Sequence, residues 1–398
     1  YGLIQLNPYL LGRDFNKDAG IKGMEETKRS FDIGSFPDFA FAGYAGLSGS
    51  TFDQRPKTQD RYTLEFVDNA TWIKGNHVVK FGTKIRHYSW LGTDSKNYMG
   101  QWTFNGQNTQ NPAAATRTGD AIADFMLGLP QNGGRGYPSD TFGGDYTASH
   151  FFIQDDIKVS NRLTLNMGIR YEYTPFTSAY RGQTGTFDGT LARPIIVASK
   201  TKEVDLGAQP GAARAYSFLG SLIQTSSEAG LPYSITYTDK NQWAPRFGFA
   251  WRPIGEKTVF RGGYGIFYEG EYTDSRVNLF MPPFLLSDSA VNEQGVVPNR
   301  TLADFFLGAP LGSPNSTIGL TPTYTRLQMG NDQHWNFGIQ RQLGSLYMLD
   351  VEYVGNKGSN IQSNNPFNIP EPGAGGIQAR RPFPRYAGFG YIAADTST

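Results

Sequence analysis

The chain has 398 residues, with 36 Lys and Arg against 35 Asp and Glu, a formal net charge of +1, and no cysteine. That charge balance argues against a nucleic-acid protein, and the lack of cysteine excludes disulfide scaffolds, thiolate zinc sites and cysteine nucleophiles. Only 38% of residues are hydrophobic, while aromatics reach 14% and glycines number 48; no apolar run approaches the ~18 residues of a membrane-spanning helix.

Period-two alternation begins with Tyr62, Leu64, Phe66, Ala70 and Trp72, passes a turn at Gly75-Asn76 and continues through Val79, Phe81 and Ile85. Such alternation predicts half-buried strands paired as a hairpin. The octet Ala123 to Pro130 follows, and its near copy Ala303 to Pro310 lies 180 residues further on, agreeing at six of eight positions. Each octet predicts one or two helical turns stopped by Gly and then Pro. Packing by their Phe and Leu explains both; bordering a ligand entrance is the functional alternative.

The segment His150 to Val159 reaches Arg162 to Tyr173 through Ser160-Asn161, which is hairpin spacing. In the second segment Leu163, Leu165, Met167, Ile169, Tyr171 and Tyr173 oppose Arg162, Thr164, Asn166, Gly168, Arg170 and Glu172. A third hairpin places Phe247, Phe249 and Trp251 before the turn Pro253 to Lys257, with Phe260, Tyr264, Ile266 and Tyr268 after it. A fourth runs from Trp335, Phe337 and Ile339 through Gly344-Ser345 to Tyr347, Leu349, Val351 and Tyr353. Between hairpins lie the polar stretches Thr174 to Thr238, Gly270 to Asp332 and Lys357 to Thr398. Connections beyond ~12–15 residues count against a compact soluble domain and fit an architecture with one tight side and one elaborated side.

Two architectures put alternating faces on many hairpins: a soluble sandwich or propeller, or a barrel whose apolar face meets lipid. Here the second face carries Gly, Arg, Glu, Asn and Gln, which suits a confined polar interior. Tyr171, Tyr173, Trp251, Tyr268, Tyr347 and Tyr353 gather at strand ends, as interfacial aromatic girdles do. The expected fold class is therefore all-β, an antiparallel transmembrane β-barrel with long extracellular loops and short loop helices.

The run Phe151 to Val159 followed by Arg162 to Tyr173 resembles the barrel hairpin of TonB-dependent outer-membrane receptors. So do Trp72-Ile73-Lys74-Gly75-Asn76-His77 with Lys80-Phe81-Gly82, the Ala123 to Pro130 octet, and Pro245 to Trp251. Tyr353 to Ser359 and Asn368 to Gly373 resemble the Oar-like branch, and the similarity runs from about Phe36 to the end. The resemblance implies a large plugged barrel of ~22 strands, more than four hairpins supply. Residues 1–398 are accordingly expected to be part of one outer-membrane barrel domain, without the plug and without the C-terminal closing strands. Asp395-Thr396-Ser397-Thr398 lacks a closing strand's terminal aromatic.

No enzyme chemistry is legible. His77, His87, His150 and His334 are scattered, and only His77 and His87 share a face, too far apart to chelate one ion; no metal and no cofactor is expected. Gly263-Tyr264-Gly265 lacks the third glycine of a dinucleotide fingerprint and reads as room for a neighbouring side chain. Adjacent Asp155 and Asp156 face opposite ways in a strand. Asn69-Ala70-Thr71 and Asn315-Ser316-Thr317 match a glycosylation triplet without a bacterial use, and Arg380-Arg381 reads as a solvated loop. Arg170, Glu172, Arg246, Arg252, Arg261 and Glu269 are the lumen-facing candidates, for mutual charge pairing or for substrate contact.

Three functions fit. The resemblance implies the barrel portion of a transporter for energised nutrient uptake in the bacterial outer membrane. Its partners would be outer-membrane lipid, the inner-membrane TonB energy-coupling complex acting through a plug missing from this chain, and a small peptide, glycan or metal chelate. A passive porin or surface adhesin uses the same barrel, and a secreted soluble glycan-binding β-protein is the third.

Overall fold

The computed structural model describes residues 2–6, 13–24, 36–48, 57–94, 99–114, 118–137, 139–198, 219–269, 286–292, 297–308 and 318–395. Its main sheet is a single antiparallel wall whose path runs through nine strands in chain order, with the two-residue strand Ser178–Ala179 paired off that path. They are β1 (Gly2–Leu6), β2 (Lys57–Lys74), β3 (His77–Asp94), β4 (Ser139–Ser160), β5 (Leu163–Tyr173), β6 (Trp243–Trp251), β7 (Thr258–Tyr268), β8 (Asn331–Leu343) and β9 (Tyr347–Ser359). Among the described residues the path ends at β1 and β9, which do not pair with each other, so the wall is open.

The four hairpins of the sequence are β2–β3, β4–β5, β6–β7 and β8–β9. All four tight turns lie at one end of the wall. Gly75 and Gly344 take positive φ there, at 59° and 67°, which is what lets the chain reverse so tightly. The strands outrun the alternation that announced them: β2 and β3 have 18 residues each and β4 has 22. Crossing a bilayer takes about 9–11 residues, so these strands stand well clear of it on the long-loop side.

Cross-strand register joins the alternating faces into two continuous surfaces. On one, Phe66 faces Ile85, Phe81 faces Ile153, Ile153 faces Ile169, Met167 faces Phe247, Phe247 faces Tyr264 and Phe337 faces Tyr353. These side chains are bare, Phe66 by 59% and Ile153 by 52%. An apolar surface this wide needs an apolar partner, and hydrocarbon supplies it.

Aromatic residues border the band. Tyr62 and Trp72 lie ten residues apart on β2, about 33 Å along the strand and about 25 Å in height at a tilt of ~40°, the height of an outer-membrane apolar band. Tyr171 and Trp243 meet at 4.5 Å with their rings tilted by 40°, and Trp251 approaches Phe260 at 6.0 Å near the tight turns.

The long connections are folded structures with cores of their own. In the first head, strands Leu286–Val291, Asn132–Tyr137, Gln101–Phe104 and Asp38–Phe41 form a sheet in that order. Phe39, Phe41, Trp102, Phe104, Phe305 and Phe306 fill its core with Ile21, Met24 and Ala121. The two octets meet here. The first contains helix α1 (Ala121–Met126), whose Asp120 cap accepts from the N–H groups of Ile122 and Ala123. The Leu302 N–H donates to the Gly128 carbonyl at 2.7 Å, and both octets carry a left-handed glycine at their sixth position, Gly128 at φ 68° and Gly308 at φ 69°. The second octet is turned rather than helical, and its Ala309-Pro310 end lies outside the described residues.

In the second head Phe187, Ile195, Val197, Leu219 and Ile223 pack against Ile318, Leu320, Tyr386 and Phe389. The stretch Lys357 to Thr398, expected to be loop, begins as the end of β9 and then forms a hairpin of Ile361–Phe367 with Phe389–Asp395. Arg380 and Arg381 tie its connection together, Arg381 donating to Asn368 O at 2.6 Å and Gln378 Oε1 at 3.1 Å.

Candidate functional site

The second surface of the wall is polar and forms the candidate lumen lining. Its β2–β5 half carries compensated charge. Glu65 accepts from Arg86 at 2.5 Å and Lys84 at 3.2 Å. Asp156 accepts from Lys80 at 2.9 Å, Asn166 at 2.6 Å and Gln154 at 3.3 Å. Arg170 and Glu172, two residues apart on one face of β5, pair at 2.5 Å. The carboxylates of this half are thus engaged by neighbouring strands or neighbouring residues, the arrangement that lets charge persist in a confined interior.

The β5–β9 half is floored with glycine. Gly168 faces Arg246, Gly248 faces Gly263, Gly263 faces Asn336, and Gly338 faces Glu352. The space over Gly263 and Gly265 is used by neighbours, as their sequence context predicts. A Cβ on Gly263 would meet Asn336 Oδ1 at 2.9 Å, and one on Gly265 would meet the Phe267 ring at 3.0 Å. Arg246 lies over that ring at 4.6 Å, and His334 meets it edge-on at 5.4 Å. Together they line a recess of about 370 Å³ with Asn336 and Glu352.

Of the six candidates, Arg170, Glu172, Arg246 and Arg261 stand on the polar surface by register. Arg252 lies just past β6 at the tight-turn end, donating to Asn161 O at 2.5 Å. Glu269 lies just past β7 at the other end, its N–H donating to Gly330 O at 2.8 Å. The six are strung along the wall rather than clustered. Glu65, Lys80, Lys84, Arg86, Asp156, Asn336 and Glu352 belong to the same surface; the phase of the hairpin alternation was the signal that could have found them.

Asp155 and Asp156 do point opposite ways, Asp155 meeting His77 at 2.6 Å on the apolar surface. His87 bonds Thr147 at 3.1 Å instead. No three metal-ligating side chains converge among the described residues. Asn69-Ala70-Thr71 lies within β2, and Asn315-Ser316-Thr317 lies outside the described residues. In the heads, the Tyr44 hydroxyl donates to Asp120 at 2.5 Å, and that bond with the two helix N–H groups holds the Asp120 carboxyl below the usual range.

An open antiparallel wall with a bare apolar face, aromatic borders, a polar inner face and tall loop heads defines a transmembrane β-barrel. The chain belongs to the outer membrane beta barrel domain family, whose model matches residues 6–398, and its place is the outer membrane.

Solved structures with a similar wall include the outer-membrane transporter YddB from Escherichia coli, at 11% identity and TM-score 0.38, covering 78% of this chain and 27% of that one. The copper transporter OprC matches at 9% identity and TM-score 0.33, over 85% of this chain and 33% of its own. The alcaligin outer-membrane receptor FauA from Bordetella pertussis matches at 9% and 0.32, over 77% and 31%. The chain therefore spans about a quarter to a third of their lengths. No curated protein matches it.

Proposed function

We propose that this chain forms part of the wall and extracellular heads of a TonB-dependent, Oar-like transporter that takes up a scarce nutrient. In this reading import is driven by the inner-membrane coupling complex acting on a plug, and the chain itself makes and breaks no bond. The observation that carries it is the pair of heads with their own aromatic and aliphatic cores, standing above a wall whose inner face is polar. A plain pore needs no such superstructure, whereas a receptor needs a rigid surface on which to hold a ligand before import. The motif order from Phe36 onward supports the same reading.

The test is conductance of the full-length protein in a planar bilayer. A plugged transporter gives almost no steady current until mild denaturant loosens the plug, while a passive porin conducts at once. Immediate, denaturant-independent channels would replace this reading with the porin.

A further inference from the structure

The charged groups of the polar surface are not equally engaged. Glu352 accepts from Asn336 at 2.7 Å and Asp350 from Gln340 at 2.8 Å, so amides cap these carboxylates. Arg246 and Arg261, by contrast, meet no carboxylate among the described residues; Arg246 lies over Phe267, and both are exposed.

Register places these two guanidiniums around one feature. Arg246 faces Gly265, Gly248 faces Gly263, and Ala250 faces Arg261, in three successive rows across β6 and β7. The two facing glycines thus form a notch, with a guanidinium one same-face step away on either side, about 7 Å along the strand. A Cβ on Gly248 would meet nothing closer than 3.7 Å, so the notch has room on its Gly248 side, while Asn336 Oδ1 borders its Gly263 side. Asp332, at the loop end of β8, is a carboxylate of this stretch without a hydrogen-bond partner among the described residues, and it lies two strands from Arg246.

We propose that the Gly248–Gly263 notch between Arg246 and Arg261 is a ligand subsite of the lumen wall, taking an oxyanion such as a carboxylate on a passing solute. The proposal rests on the transporter reading and adds to it a place and a ligand chemistry. Glycine lets a ligand approach the sheet backbone closely, and a guanidinium with its hydrogen-bonding edge uncommitted is the group best built to receive a carboxylate. In the β2–β5 half Lys80, Lys84, Arg86 and Arg170 already serve Asp156, Glu65 and Glu172.

The chain's lack of cysteine makes a clean test possible. Gly248→Cys and, as control, Thr71→Cys on the polar face of β2 are placed singly in the full-length protein in outer-membrane vesicles. Each is reacted with a negatively charged sulfonate thiosulfonate reagent and with its positively charged trimethylammonium counterpart. The expected result is that Gly248→Cys prefers the anionic reagent over the control by on the order of tenfold, and that Arg246→Gln with Arg261→Gln abolishes the preference. An equal or reversed preference overturns the oxyanion assignment. An unreactive Gly248→Cys beside a reactive Thr71→Cys, or both unreactive, overturns the notch as an accessible subsite while leaving the transporter reading standing. If bilayer conductance shows an open pore and the anionic preference persists, the transporter reading fails and the subsite survives as the selectivity site of a pore.

Discussion

Replacing Ile169 by Arg tests which surface meets lipid. Ile169 lies six residues from Leu163 at the tight-turn end of β5 and four from Tyr173 at the other. With ~3.3 Å per residue and a tilt of ~40°, those distances correspond to about 15 Å and about 10 Å of height, which puts Ile169 within a few ångströms of the midplane. Its side chain is 42% exposed, and its cross-strand neighbours are Ile153 and Pro245, neither able to shelter a charge. Arginine there should cost about 2–4 kcal/mol. Arg170→Ala, one residue away on the opposite surface, removes a partly exposed pair with Glu172 and should cost ~1 kcal/mol. Reversible unfolding of the full-length protein in lipid vesicles, followed by denaturant titration, gives both values. Equal costs at the two sites would refute the facing assigned to β5, and with it the register argument for the whole wall.

The heads allow further tests. Trp102 is fully buried and stacks on Phe39 at 5.7 Å; Trp102→Ala should cost the first head about 3–5 kcal/mol. Hydrogen exchange should then rise across residues 99–137 and stay unchanged in the tight turns. Gly23→Ala puts a Cβ 2.3 Å from the Phe306 backbone at φ 80°, so about 1–3 kcal/mol is expected from backbone strain alone; retained proteolytic resistance of that head would contradict the packing.

Burial pushes the Tyr386 hydroxyl up to about 12 from 10.0, and that hydroxyl has no hydrogen-bond partner among the described residues. The neutral form is the one favoured on folding, so its contribution is fully present below pH 10.0 and is lost as pH rises through about 12. Tyr386→Phe should therefore remove the alkaline loosening of the second head, as read by hydrogen exchange at pH 9 and 11; an unaltered alkaline response would refute the assignment. Asp120 works in the opposite direction. Its carboxyl is held below the ordinary 3.8 by Tyr44 and the helix N–H groups, so its cap is intact above that value and is lost as pH falls below it. Acid exchange at α1 that is insensitive to Asp120→Asn would count against this.

The wall was legible in the sequence because its signal is local and redundant. Each strand alternates, each tight turn carries its own chemistry, and the same grammar recurs four times, so the parity of Ile169 against Arg170 survives any error in strand length. Strand ends were less legible. Residues 139–149 of β4 lie beyond the bilayer, where Gly143, Gly144 and Asp145 replace alternation with a run of small and polar residues.

The heads were hidden for another reason. Asp38–Phe41 and Gln101–Phe104 have four residues each and pair in parallel across some 60 intervening positions, too short for periodicity and too distant for a turn signal. The octet repeat was visible, but its meaning, two copies feeding Phe125, Phe305 and Phe306 toward one core, needed the third dimension. Among the site candidates, parity placed Arg170, Glu172, Arg246 and Arg261 by register. Which cations are already engaged depends on cross-strand partners that no single strand reveals.

The wall separates lipid on one face from a polar lumen on the other. Nitroxide labels at single cysteines along β6, from Trp243 to Trp251, measure it directly in the membrane-embedded full-length protein. Positions 243, 245, 247, 249 and 251 should relax with oxygen dissolved in lipid, and 246, 248 and 250 with a water-soluble nickel chelate. A flat profile along the strand, or alternation in the opposite phase, would contradict the claim.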